Sequence, residues 1–183
     1  MMRDIKDDVK KVLYSEEQLA KRVKEMAEEI SKDYAGKDLL VVGILKGSVL
    51  FTSDLIKNIT IPCEIDFMAV SSYGNSAQTS GVVRILKDLD SDIENKHVLI
   101  VEDIVDTGTT LSYLLEYLKA RKAASIEIVA LLDKEARRTS NVSAKYKGFD
   151  VPDEFIVGYG IDYAEKYRNL PFIGALKEEI YNK

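Results

Sequence analysis

Val98-Leu99-Ile100-Val101-Glu102-Asp103-Ile104-Val105-Asp106-Thr107-Gly108-Thr109-Thr110-Leu111 joins a strand-like run to a helix-like one through acidic and hydroxyl residues. Val98 to Val101 are aliphatic without alternation, the pattern of a strand covered on both faces of a parallel sheet. Glu102 and Asp103 then place consecutive carboxylates at the strand's carboxyl end. Leu111, Leu114, Leu115 and Leu118 recur at i, i+3, i+4 and i+7, which predicts an amphipathic helix. Asp106 to Thr110 forms the turn between them. Unpaired amides and the positive dipole end favour an anion there, and Gly108 lets backbone approach it closely. A second reading of the same turn is structural, with Asp-Thr-Gly acting as a helix cap.

Working outward, the same two periods alternate. Ser15 and Gln18 make a capping box, and Leu19, Val23, Met26, Ala27 and Ile30 continue at helical spacing to a stop at Gly36, so the first element is expected to be a helix. Strands are expected over 39–45, 64–70, 82–86, 125–132, 155–157 and 172–176, and a helix from Ser48 to about Asn58. Residues 71–81 are small and polar and predict a mobile loop. Cys63 reads as a buried strand residue and His97 as a surface residue at strand entry. The alternation predicts an α/β fold with a mainly parallel central sheet flanked by helices. Ligands bind such sheets outside the strands' carboxyl ends. Lys46-Gly47, Glu102 to Thr110 and Asp133-Lys134 share that address. The first residues and the tail after Asp162 are expected to build a small hood over it.

The chain of 183 residues suits one domain, residues 1–183, without repeat or linker. A net charge of -5 weighs against nucleic-acid binding. One cysteine and one histidine rule out intrachain disulfides and weigh against zinc clusters and Cys/His or Ser/His/Asp catalysis, so a metal would have oxygen ligands, magnesium foremost beside a phosphorylated substrate. The N-terminus lacks the apolar core of a signal peptide, and no apolar run has membrane-spanning length, so a cytoplasmic location is expected.

Consecutive carboxylates after an apolar strand are poorly explained by packing but suit a vicinal diol, accepting hydrogen bonds from both hydroxyls. Here the stretch resembles the 5-phosphoribosyl-1-pyrophosphate (PRPP) signature of type I phosphoribosyltransferases. Gly43-Ile44-Leu45-Lys46-Gly47, Ser71-Ser72-Tyr73-Gly74, Leu131-Leu132-Asp133-Lys134, Phe155 to Tyr163 and Tyr167-Arg168-Asn169-Leu170-Pro171 narrow the resemblance to bacterial hypoxanthine-guanine phosphoribosyltransferases.

The resemblance implies transfer of a phosphoribosyl group from PRPP to N9 of a 6-oxopurine, with pyrophosphate released. Glu102 and Asp103 would bind the ribose hydroxyls and magnesium, and Asp106, Thr107, Gly108, Thr109 and Thr110 the 5-phosphate. Asp106 would also accept a purine ring proton as general base. Lys46, Gly47, Arg168, Ser72 and Tyr73 would meet pyrophosphate, often with a cis peptide between Leu45 and Lys46, and the 72–81 loop would serve as a lid. Lys134, Phe155, Ile156 and Asp162 would form the purine side. Lys134 would donate to the 6-oxygen and reject adenine, Phe155 would stack on the base, and Asp162 would also bind a second magnesium. A homodimer or homotetramer is implied too. A xanthine-preferring transferase and a non-catalytic PRPP-binding regulator are the competing readings.

Overall fold

The structure, a computed structural model, describes residues 4–72 and 83–182. Strand β1 (Val9–Tyr14) precedes helix α1 (Glu16–Asp33), followed by β2 (Leu39–Leu45), α2 (Val49–Asn58), β3 (Glu64–Ser72), β4 (Val83–Lys87) and β5 (His97–Val105). Then come α3 (Thr109–Lys119), β6 (Ser125–Asp133), β7 (Tyr146–Asp150), β8 (Ile156–Val157), β9 (Ile173–Leu176) and the short α4 (Glu178–Tyr181).

Six strands form the central sheet in the order β4-β3-β2-β5-β6-β7, and only β4 joins its neighbour antiparallel. The apolar runs of β2 and β5 feed both faces. Leu39, Val41, Leu99 and Val101 pack with α1 and α2, while Leu40, Val42, Val98 and Ile100 pack with Leu111, Leu114 and Leu118 of α3. Covering on both sides is what removes the alternation from these strands. The Ser15–Gln18 capping box starts α1 as expected. Parallel pairing brings the carboxyl ends of β2, β5 and β6 to one edge.

A second, antiparallel sheet in the order β1-β9-β8 forms the hood from the two terminal regions. It corrects the expectation that a helix comes first. Val9-Lys10-Lys11-Val12-Leu13-Tyr14 lacks clean alternation, and its strand character comes from pairing with residues 173–176 far along the chain. Strand β7 was also unanticipated, since Tyr-Lys-Gly-Phe-Asp carries weak strand propensity and is set by the edge of β6.

Two further expectations change. Cys63 is half-buried and precedes β3 rather than lying in a strand. His97 does open β5, but half-buried, with its Nδ1 2.7 Å from Ser125 Oγ. Ser71 and Ser72 belong to β3, while the expected loop over 73–81, with Tyr73, lies outside the described residues. No helix among the described residues is long and apolar enough to cross a membrane.

Candidate active site

Strand β5 runs to Val105, so Glu102 and Asp103 lie within it rather than beyond its end; Glu102 pairs with Ala130 and Ile104 with Leu132 of β6. The turn that follows depends on Gly108, whose φ of +82° is left-handed and whose Cβ, if present, would collide with Ser140 Oγ. Gly108 occupies the N-cap of α3 and, as glycine, brings no side-chain cap of its own. The capping alternative for Asp106 is therefore corrected: its carboxylate is not spent on the first helical amides. Local bonding is light, with Thr109 N donating to Thr107 Oγ1 at 3.4 Å.

The turn is held from behind through its carbonyls. Arg138 Nε donates to Asp106 O at 3.1 Å, and Thr139 N and Ser140 Oγ each donate to Thr107 O at 3.1 Å. Arg138 is itself fixed by an ion pair with Asp133 and a bond to Val142 O. On the open side lies a concavity of about 220 Å³, bounded by Glu102, Asp106, Thr107, Gly108 and Thr110. Thr109 is exposed at the first helical position.

Glu102 is buried, at 8% exposure. Its carboxyl is raised well above the ordinary value by burial first, then by the Asp103 charge and a hydrogen bond with that carboxyl. Burial also raises Asp103, against bonds from the Ile104 amide and from Glu102 and the more distant Arg168 charge. Asp103 leans on the turn after β2: a Cβ on Gly47 would collide with its Oδ2. The Leu45–Lys46 peptide in that turn is cis.

Lys46 reaches out to Glu165, 2.9 Å away. Arg168 donates from Nη1 to Gly160 O at 2.8 Å and pairs through Nη2 with Asp162 at 3.0 Å, while its buried Nε has no hydrogen-bond partner. Asp162 also accepts from Glu165 N at 2.9 Å. The structure thus brings Asp162 to Arg168, and it is not among the residues lining the purine-side cleft.

A donor set of two adjacent carboxylates, oxygen-only and with no cation bonded to them among the described residues, fits a hard divalent ion such as Mg²⁺. Among the described residues no three acidic, histidine or cysteine side chains converge as a metal cage. Glu102–Asp103 and Asp162 are accordingly separate places.

The second cavity, about 440 Å³, opens between Asp106, Lys134, Arg137, Phe155, Ile156 and Tyr181. Lys134 follows β6, is only 8% exposed, and donates from Nζ to Glu154 O at 2.8 Å. That bond uses one of its three protons, and Asp153 Oδ1 pairs with the ammonium at 3.7 Å, beyond hydrogen-bond distance. Phe155 sits just before β8 and is 42% exposed, stacked on Tyr181 at 4.7 Å and met edge-on by Tyr163 at 5.1 Å. Ile156 is buried in β8. Asp106 Oδ1 lies 3.3 Å from Arg137 Nε, yet that buried oxygen accepts no hydrogen bond.

Arg137, Arg138, Glu154, Glu165 and Tyr181 join the site without having been singled out. The arginines were visible only as a charged connection, and nothing in the tail marks Tyr181 as a partner of Phe155. Larger hollows lie beside the N-terminal turn, about 620 Å³ and bordered by Asp8, Glu165 and Lys166, and between α1 and α2, about 560 Å³. Neither is lined by Glu102, Asp106, Lys134 or Arg137.

Residues 10–164 match the family described as "Phosphoribosyl transferase domain". The chain is 54% identical over 177 residues to the hypoxanthine-guanine phosphoribosyltransferase of Bacillus subtilis, covering 97% of this chain and 98% of the relative. To the enzyme of that name from Staphylococcus aureus it is 56% identical over 176 residues, covering 96% and 98%. A crystal structure of a hypoxanthine phosphoribosyltransferase from Staphylococcus aureus superposes with a TM-score of 0.96 at 54% identity, covering 100% of both chains. Family match, full-length identity and shared fold agree: the chain belongs to the phosphoribosyltransferase family, in its bacterial hypoxanthine-guanine branch.

Proposed function

We propose that this protein is a purine-salvage enzyme that transfers the 5-phosphoribosyl group of PRPP to N9 of hypoxanthine or guanine, giving IMP or GMP and pyrophosphate. The observation that carries the reading is the position of Asp106, which borders both the 220 Å³ concavity and the 440 Å³ cleft. A sugar phosphate in one and a purine in the other would meet beside its carboxylate.

In this reading the turn from Asp106 to Thr110 takes the 5-phosphate with backbone amides and hydroxyls, at the positive end of α3. Glu102 and Asp103 accept from the ribose hydroxyls. Lys134 donates to the 6-oxygen, a bond that adenine's amino group cannot accept. Phe155 stacks on the base, which for one base is worth roughly 1–3 kcal/mol. Ile156 meets the edge of the ring.

Positive charge grows on the ribose as its bond to pyrophosphate lengthens, and N9 attacks more readily once a ring proton is lost. Asp106 accepts that proton through the oxygen that has no hydrogen-bond partner. Lys46, the Gly47 turn and Arg168 offset the negative charge on the departing pyrophosphate. Glu102 and Asp103 would hold Mg²⁺ and Asp162 a second ion, which would supply the charge neutralisation that a protein of net charge -5 lacks for so anionic a substrate. A single domain of residues 1–183, a homodimeric or homotetrameric assembly and a cytoplasmic location complete the proposal.

A base panel with PRPP and Mg²⁺ under identical conditions tests it. Hypoxanthine and guanine should be converted and adenine left unchanged. No transfer to any 6-oxopurine would overturn the assignment, and in that case filter binding to nucleic acid at stated salt would test the PRPP-binding regulator. Preferred conversion of xanthine would replace the base specificity alone.

A further inference from the structure

Glu165 has no part in the reaction as set out above, yet it touches both cations assigned to pyrophosphate. Its Oε2 accepts from Lys46 Nζ at 2.9 Å and its Oε1 from Arg168 Nη2 at 3.3 Å. One carboxylate therefore spans Lys46 and Arg168 with a separate oxygen on each. Its carboxyl lies below the ordinary value, through the hydrogen bond and charge of Lys46 first and then the charge of Arg168.

The backbone that delivers this side chain is unusual. Ala164, Glu165 and Tyr167 have φ of +50°, +62° and +74°, a left-handed conformation that non-glycine residues rarely adopt. The turn is pinned by paired bonds between Tyr163 and Lys166 and by the Glu165 amide on Asp162 Oδ2 at 2.9 Å. Stability is a poor reason for it. The Lys46 and Glu165 side chains are 68% and 66% exposed, and ion pairs that open contribute little to folding. Local strain of this kind clusters where a ligand or a switch uses it.

We propose that Glu165 is a built-in anion that occupies Lys46 and Arg168 in the absence of ligand and is displaced when the pyrophosphate group of PRPP, or free pyrophosphate, engages them. The proposal rests on the reading of Lys46 and Arg168 as pyrophosphate ligands. Its consequence is weaker retention of pyrophosphate than the two cations alone would give, which favours release of that product.

The test is equilibrium binding of inorganic pyrophosphate to the full chain at fixed free Mg²⁺, together with its product inhibition against PRPP. E165Q keeps the side-chain shape and removes the charge. It should bind pyrophosphate about five-fold tighter, the order of one exposed ion pair. In a K46Q background the gain from E165Q should shrink, because part of the competition has already been removed. Unchanged or weaker binding by E165Q would overturn the displacement, and so would a gain undiminished by K46Q, which is the signature of general repulsion. If K46Q and R168Q alone leave pyrophosphate binding intact, the pyrophosphate reading itself falls; a loss in those variants without a gain in E165Q removes only the role of Glu165.

Discussion

Asp66 and Asp88 differ from Glu102 and Asp103 in who neutralises them. Burial pushes Asp66 upward, but amide bonds from Asp90 and Phe67 and the Lys87 ammonium outweigh it, and its carboxyl lies below the ordinary value. Asp88 behaves alike, with burial outweighed by Tyr117, the Leu89 amide and Arg121. At Glu102 and Asp103 burial wins and both carboxyls are raised. The first two carboxylates knit β3, the segment after β4 and α3 together, and the chain itself supplies their donors. Glu102 lines the concavity and Asp103 lies against Gly47, where the Ile104 amide and the Arg168 charge do not outweigh its burial. Carboxylates that hold a fold are satisfied within it, whereas carboxylates kept for a ligand retain a demand that the ligand meets.

Substitutions should split along that line. The largest effect is expected from Asp106, the acid shared by both cavities: Asp106→Asn should lower kcat by about 10²- to 10⁴-fold, the usual scale for a lost general base. PRPP binding should change little, and an unchanged kcat would remove the base role. Lys134→Met comes next, because it keeps the volume of a buried side chain and removes its donors. The KM for hypoxanthine should rise roughly 10- to 100-fold, as for a lost charged hydrogen bond. Equal losses for adenine and hypoxanthine in direct binding would contradict recognition of the 6-oxygen.

Asp88→Asn should show the opposite phenotype. It should cost about 1–3 kcal/mol of stability in urea unfolding, since Arg121 and the Tyr117 hydroxyl lose a charged acceptor. The kcat of the folded fraction should be unaltered. A catalytic defect without lost stability would erase the distinction between the two acidic pairs.

The part of this division legible in the sequence is the contiguous part. Val98 to Leu111 carries its own strand period, turn chemistry and helix period, so the concavity's residues were named from local pattern. The boundary was misjudged because pairing with β6 extends β5 through Val105, which no local pattern records. The purine-side cleft is assembled from segments around Asp106, Lys134, Phe155 and Tyr181, and there the individual residues came from family resemblance. What brings Tyr181 onto Phe155 is the hood, whose strand β1 reads too charged to be recognised and is stabilised by pairing across nearly the whole chain. Arg138 was hidden for a related reason. Its acceptors, Asp106 O, Asp133 and Val142 O, become neighbours only when the connection after β6 folds back against the turn.

The smallest expected effect is the most direct probe of the comparison, because both acidic pairs act on it with opposite sign. A carboxyl lowered in the folded state contributes stability above its unfolded value, about 3.9 for aspartate, and loses it as pH falls through the folded value. Asp66 and Asp88 should therefore give a loss of Tm below about pH 4. A raised carboxyl does the reverse: its contribution is complete below the unfolded value, about 3.9 to 4.3, and is lost as pH rises through the folded value. Glu102 and Asp103 should thus make the ligand-free protein lose stability as pH climbs from about 4.3. Glu102→Gln should flatten that alkaline limb and leave the acid limb, while Asp88→Asn should soften the acid limb alone. With Mg²⁺ and PRPP binding the ionised pair, as proposed, the Tm gained on adding them should grow with pH in the native chain and lose that growth in Glu102→Gln. A ligand-free Tm that stays level above pH 5 would mean that the chain already neutralises Glu102 and Asp103, as it does Asp66 and Asp88.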